Sequence, residues 1–306
     1  MIVVTGGMGF IGSNLVHALN QRGRSDLFVV DDLTDGTKFT NLSQADILDY
    51  AHYLDFPQKL ESLRDAPEVI FHLGACSDTT EWNGIRMMEQ NFEYSKRLLE
   101  YCKAHKVRLI YASSASVYGS GQAFQETREH ENPLNLYGFS KMLFDHRVRQ
   151  SLREVSSQVV GLRYFNVYGP REAHKGNMAS VVLHFNQQIL GSGKIKLFEG
   201  SQNFRRDFIH VDDAIRINLW FFDHPDKSGI YNVGTGQSRS YTDLAQVVLD
   251  FHGKGSLEFI RFPDELSGRY QTFTQADLTQ LRTAGYQDPC LDLNAGVRKY
   301  LAWLNH

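Results

Sequence analysis

Cysteine is scarce in this chain of 306 residues: Cys76, Cys102 and Cys290 are far apart and odd in number. No CxxC pair or His/Cys cluster at zinc-ligand spacing occurs, which argues against a disulfide framework and a metal site. An excess of one charge is also lacking, since 32 Lys and Arg face 35 Asp and Glu, a net −3. No basic field therefore invites nucleic acid or an anionic membrane. Long apolar runs are missing, and "INLWFF" (217–222), among the longest, falls far short of a membrane span. The opening "MIVVTGG" leaves no room for the charged and apolar regions of a signal peptide. The expected compartment is the cytoplasm. What remains is an ordinary globular composition, 42% hydrophobic and 22% charged. The length suits one large α/β unit, or a main domain with a smaller partner.

The first half alternates short β-rich runs with helical patterns. "IVVTG" (2–6), "LFVVD" (27–31), "EVIFHL" (68–73), "VRLIYAS" (107–113) and "QVVGLRY" (158–164) read as strands. Helical stretches fall at 11–22, 84–105 and 137–152. This alternation predicts an α/β fold, a doubly wound parallel sheet covered on both faces. After about residue 165 the rhythm loosens, with helical patterns at 179–190, 212–222, 241–252 and 291–304 between Gly- and Pro-containing stretches. We expect a Rossmann-like domain over 1–167 and a smaller mixed α/β substrate domain over 168–306. A segment near 205–235 is expected to return to the first domain. In open α/β sheets, ligands bind beyond the carboxyl ends of the strands.

"TGGMGFIGSN" (5–14) follows the first strand and leads into a helix. Gly6, Gly9 and Gly12 allow a tight turn, close approach to a pyrophosphate, and helix-on-strand packing. Helix amides at that end favour phosphate, and Asp31 ends a strand about 20 residues on. Together these features predict a dinucleotide site. Asp31 in the usual ribose-binding role points to NAD, whereas Lys38, in "DDLTDGTKF" (31–39), is either the partner of a 2′-phosphate or a solvated loop charge.

"YGFSK" (137–141) puts Tyr137 and Lys141 four residues apart, on one helix face. A free tyrosine, with a pKa of about 10, is a poor base at neutral pH. A nearby ammonium and an oxidised nicotinamide both stabilise its phenolate. Lys141 is also able to hydrogen-bond the nicotinamide ribose. Ser114, in "SSASVYG" (113–119), offers a hydroxyl to orient a substrate oxygen. In "PREAHKGNMAS" (170–180), Lys175 follows a strand's carboxyl end. From the loop alone it grips an anionic substrate, pairs with a carboxylate, or takes part in chemistry.

Fingerprint, serine and Tyr–Lys pair, in this order, resemble the extended short-chain dehydrogenase/reductase family, whose members mostly act on sugar nucleotides. That resemblance implies Ser114, Tyr137 and Lys141 as the catalytic set for hydride transfer. A closer resemblance, nearly full length, is to the family of ADP-glyceromanno-heptose 6-epimerases. It rests on "DDLTDGTKF", "GACSDTTEW", "LNLYGFSK", "RYFNVYGPREAHKGNMASV", "LFEGSQNFRRDF" and "GRYQTFTQADLTQLRTAGY". It implies bound NADP, an ADP-heptose substrate, homo-oligomers that are generally pentamers, and a part in making the heptose precursor of the lipopolysaccharide core. It also implies Lys175 as a second acid/base beside Tyr137.

Carried onto this chain, the resemblance implies cofactor contacts at Phe10, Ile11, Asp31, Asp32 and Lys38. Further contacts fall at Leu73, Gly74, Ala75, Cys76 and Ser77, and at Lys141, Val167 and Lys175, with Asn91 an added candidate. Substrate contacts are implied at Asn166, Asn177 and His184, at Phe198, Glu199, Gly200 and Ser201, and at Arg206 and Tyr270. The Arg206 guanidinium offers a fork of donors suited to phosphate, and Tyr270 is suited to stack on a base or bond a phosphate. His184 and Phe198 read as core residues on pattern alone. Three positions depart from the family: Asp32 replaces an asparagine, Tyr53 a lysine, and Asn177 a serine.

A sugar-nucleotide 4,6-dehydratase is disfavoured, because Ala115, Ser116 and Val117 fill the interval where dehydratases place carboxylates. A UDP-sugar 4-epimerase would use Tyr137 as its only base and leave Lys175 without a chemical role. A non-catalytic NADP-sensing module is disfavoured by retention of both Tyr137 and Lys141.

Overall fold

The computed structural model describes residues 1–262 and 271–306. Among them the strands are β1 Ile2–Thr5, β2 Leu27–Asp31, β3 Asp49–His52, β4 Val69–His72, β5 Arg108–Ser114 and β6 Val159–Tyr164. There follow β7 Asn166–Tyr168, β8 Lys194–Phe198, β9 Arg205–His210, β10 Gly229–Val233, β11 Ser238–Ser240 and β12 Ser256–Ile260. The helices are α1 Phe10–Gln21, α2 Phe56–Glu61, α3 Gly84–Met88, α4 Tyr94–His105 and α5 Leu136–Ser151. The later ones are α6 Val181–Ser192, α7 Val211–Asp223, α8 Tyr241–His252, α9 Thr279–Ala284 and α10 Leu293–Leu304.

The main sheet is parallel throughout, in the order β3-β2-β1-β4-β5-β6-β10. Every residue of β1, β2, β4 and β6 is buried, as a parallel sheet covered on both faces requires. Successive side chains point to opposite faces. Ile2, Val4 and Val29 pack toward Leu15 of α1 and Ile215 of α7, while Val3, Phe28 and Ile70 pack toward Leu98 of α4 and Phe144 of α5. This is the doubly wound, Rossmann-like class. The strand order reverses between β1 and β4, and there the crevice opens. At its floor, a methyl on Gly12 would overlap the Gly6 carbonyl, so α1 comes this close to the first turn only with glycine.

A smaller mixed region follows. β9 pairs parallel with β7 and antiparallel with β11, and β8 pairs with β12. Its core joins Leu183 and Phe185 of α6, Leu244 and Val248 of α8, and Val297 and Leu301 of α10. The stretch expected as one helix over 84–105 divides into α3, a π-type turn at Glu89–Glu93, and α4. No helix of the described residues is long and apolar enough to cross a membrane.

The loop from β5 to α5 buries Glu126 against β10, where its Oε1 accepts the Asn232 N–H at 2.8 Å. Burial pushes this carboxyl up to about 7, against the opposing Asn232 hydrogen bond and the charge of Arg163. Its folded value thus exceeds the unfolded one of about 4.3. The stability it contributes is intact below the unfolded value and lost as pH rises through about 7. Glu126→Gln is expected to match the wild type near pH 5 and to exceed it near pH 8 by roughly 2–3 kcal/mol. Urea midpoints at the two pH values check this; an equal offset at both would assign the change to packing.

Candidate active site

The cleft above the strand ends has a volume of about 770 Å³, within the range of small-molecule sites. Gly6, Gly9, Phe10, Ile11 and Gly12 form one wall. Gly9 caps α1 without a side-chain bond, so the first-turn amides remain free to meet an anion. That suits the pyrophosphate of a dinucleotide.

At the next strand end, Asp31 is buried and already well partnered. Its Oδ2 accepts the Met8 N–H at 2.7 Å, while Oδ1 accepts the Asp32 N–H at 2.7 Å and Lys38 Nζ at 2.8 Å. Lys38 also donates to the Asp32 carbonyl at 2.7 Å. It is therefore fixed on Asp31 at the rim of the cleft and not a solvated loop charge. A ribose hydroxyl or an added phosphate would meet both groups.

Leu73, Gly74, Ala75, Cys76 and Ser77 form the opposite wall. Asn91 is 1% exposed and lies behind this wall. Its Oδ1 accepts the Cys76 N–H at 2.8 Å, and its Nδ2 donates to the Cys76 carbonyl at 2.9 Å and to Ser140 Oγ at 3.1 Å. It thus ties the wall to α5. Below, His72 bridges the Thr5 and Ser95 hydroxyls, each at 2.7 Å. Burial, then the charge of Lys141, holds His72 down to about 3, so it stays neutral.

The Asn135 side chain starts α5 by accepting the Gly138 N–H at 2.8 Å, which sets Tyr137 in the first turn. A Cβ on Gly138 would meet the Ser116 carbonyl at 2.7 Å, so glycine lets the helix start press against the turn carrying Ser114. The Ser114 hydroxyl donates to Ser116 Oγ at 3.1 Å, and Ser114 and Tyr137 both line the cleft. Burial pushes the Tyr137 phenol up, and the nearby Ser114 hydroxyl opposes this. Lys141 is 4% exposed, donates to the Ala112 carbonyl at 2.9 Å, and lies 5.9 Å from the Tyr137 ring centre. Burial lowers it to about 8, against the charge of Asp145. Near neutrality it is cationic, so it can stabilise a phenolate.

Lys175 enters the same cleft from the short helical turn Ala173–Met178. Its ammonium lies 5.4 Å from the centre of the Phe10 ring. Burial lowers its pKa, and the charge of Glu172 opposes the shift. Glu172 itself is buried and accepts the Ser180 N–H at 2.7 Å. The cleft thus brings together a phenol, two lysines and a serine hydroxyl, a set able to take and give protons.

Asp32, Asn166 and Val167 also line the cleft. Asn177 is exposed outside that lining, and His184 is part-buried on α6. Phe198 ends β8 with its ring against Phe262, Glu199 is exposed, and Gly200 is left-handed at φ 82°. Ser201 is buried, and its hydroxyl has no partner among the described residues. Arg206 is buried with its guanidinium 5.9 Å from the ring centre of Tyr241, and Tyr241 lines the cleft. Tyr270 lies outside the described residues. Sequence reading did not single out Gln90, His174, Met178 or Tyr241, which face the cleft as well. His174 had one available signal, its place beside Lys175.

The NAD dependent epimerase/dehydratase family model matches residues 2–234. The chain belongs to that family. Among solved structures, it is similar to the ADP-L-glycero-D-manno-heptose-6-epimerase of Helicobacter pylori, at 34% identity and a TM-score of 0.88, covering 99% of this chain and 96% of that one. It is also similar to the UDP-glucose 4-epimerase of Thermotoga maritima, at 28% identity and 0.83, covering 99% and 98%. A third is the Thermus thermophilus UDP-glucose 4-epimerase in complex with NAD, at 25% identity and 0.84, covering 99% and 98%.

Proposed function

We propose that the protein is an ADP-glyceromanno-heptose 6-epimerase. In this reading it interconverts ADP-D-glycero-D-manno-heptose and ADP-L-glycero-D-manno-heptose for lipopolysaccharide core synthesis, with NADP held in the cleft. The observation that carries it is Lys175, a second proton-transfer group lining the cleft of Tyr137. The 34% identity with the Helicobacter enzyme over 99% of this chain supports it. Residues 1–167, with β10 added to the sheet, then hold the cofactor, and the remainder presents the sugar. A cytoplasmic homo-oligomer, a pentamer by the same resemblance, belongs to this reading.

The nicotinamide, when bound, supplies a hydride acceptor and returns the hydride. Tyr137, in the same cleft as Ser114 and beside cationic Lys141, takes the proton of the carbon-6 hydroxyl as that carbon becomes a ketone. Carbon 6 is exocyclic, so rotation carries its oxygen from Tyr137 toward Lys175. The Lys175 ammonium then protonates that oxygen while carbon 6 is reduced on its other face. The lowered Lys175 value eases this donation. The reverse reaction uses the two groups in the opposite order. Lys38 on Asp31 favours the phosphorylated cofactor, and Arg206 beside Tyr241 is suited to a substrate phosphate.

Purified protein given either ADP-heptose should produce a mixture of carbon-6 epimers by NMR. A second reading, a UDP-sugar 4-epimerase, is favoured by the 28% identity with the Thermotoga enzyme. Inversion at carbon 4 of a UDP-hexose, with both ADP-heptoses untouched, would select it.

A further inference from the structure

The Lys38 corner holds a further basic side chain that this chemistry does not use. His174 lines the same cleft from the turn Ala173–Met178, and its Nδ1 lies 3.2 Å from Asn41 Nδ2. The same amide nitrogen donates to the carbonyls of Met8 at 2.9 Å and Arg171 at 3.2 Å. Two carbonyl acceptors fix the nitrogen on that side, so Nδ1 of His174 accepts and the ring proton sits on Nε2. Met8 is also the residue whose N–H holds Asp31. One amide thus ties His174 to the loop that holds Asp31 and Lys38.

Charges from several elements face the ring. Lys38 and its neighbour Lys175 disfavour its protonation, while Asp31 and Asp35 favour it. Behind Asn41, His17 of α1 contacts the Asn41 carbonyl at 2.8 Å. Burial is the largest influence and lowers the His174 pKa, so the ring is neutral near pH 7. A neutral ring still donates from Nε2. An arriving dianion would supply the charge that burial and two lysines withhold, and the ring would then take up a proton.

We propose that His174 and Lys38 together clamp the 2′-phosphate of a phosphorylated adenosine cofactor, each from its own turn of the chain. This rests on the proposed binding of such a cofactor here. Three donors already occupy Asp31, two of them on Oδ1. Asp31 is thus largely occupied, while Lys38 and His174 line the corner as basic side chains; Asp32 and Asp35 line it too, and their charges oppose an anion.

The test compares adenosine 2′,5′-bisphosphate with adenosine 5′-monophosphate by calorimetry, on full-length protein stripped of nucleotide, at pH 6.5 and 8.5. His174→Ala should weaken the bisphosphate roughly tenfold or more and leave the monophosphate within about twofold. His174→Gln keeps a donor that cannot take a charge. It should retain part of the preference and lose the extra tightening that the wild type gains at pH 6.5. Equal weakening of both ligands in His174→Ala would make the histidine a brace for the Asn41 loop and overturn the clamp. If Lys38→Ala loses the preference and His174→Ala keeps it, the phosphorylated-cofactor reading stands and this inference fails. A wild type that binds both ligands equally would overturn both.

Discussion

Tyr137→Phe and Lys175→Met are each expected to lose epimerisation by roughly 10²- to 10⁴-fold, the usual worth of a positioned acid or base, and to fail on opposite substrates. Each variant keeps one proton-transfer group. It should still oxidise the epimer that group serves, and reduce the ketone from that side only. Mixed with one pure ADP-heptose, Tyr137→Phe should accumulate reduced nicotinamide, read by absorbance. With the other epimer, Lys175→Met should do the same. A clamp role for Lys175 predicts otherwise: Lys175→Met would bind both epimers poorly and regain turnover at high substrate. That rescue, beside a Tyr137→Phe protein inert to both epimers, would end the two-base mechanism. The geometry makes the experiment clean, because the two groups stand on separate elements, α5 and the turn Ala173–Met178. Lys141 remains on α5 in both variants, donating to the Ala112 carbonyl.

The parts legible from sequence share a physical cause. β1, β2, β4, β5 and β6 are buried on one or both faces and read as apolar runs whatever surrounds them. β3 "DYAH", β7 "NVY" and β11 "SRS" carry no such run. They exist because a neighbouring strand offers a register, as Asp49 to His52 find along Phe28 to Asp31. Tyr137 and Lys141 were legible because helical spacing puts them on one face. Lys38 was ambiguous, since only the folded loop brings its ammonium onto Asp31. The buried charges of Asp145 and Arg163 were invisible, because periodicity assigns charge to the surface, and here two strands and a helix enclose it.

That enclosed network gives the largest expected loss of stability. Arg163 on β6 is fully buried, and its Nε donates to Asp145 Oδ2 at 2.8 Å. Its Nη2 bonds Glu131, and its guanidinium lies 4.9 Å from the Tyr118 ring centre. Asp145, also fully buried, accepts from the Tyr111 hydroxyl at 2.8 Å and the Ser113 hydroxyl at 2.9 Å. Arg163→Met leaves Asp145 with hydroxyl donors alone, whereas Glu131 keeps Arg149 and His146. Stranding a buried carboxylate typically costs about 3–5 kcal/mol, and urea midpoints near pH 8 should show a loss of that order. The sign of the pH dependence follows from the same groups. In the wild type the Arg149 and Arg163 partners outweigh burial and hold Glu131 down to about 2. Its stability is therefore present above the unfolded value and lost as pH falls through about 2. Adding Asp145→Asn to Arg163→Met should recover much of the loss, a coupling that independent sites would not show. The charge of Asp145 also raises Lys141 against its burial. The double variant should therefore fold, yet hold the Lys141 proton less tightly, and any phenolate at Tyr137 should lose its cationic neighbour at a lower pH than in the wild type.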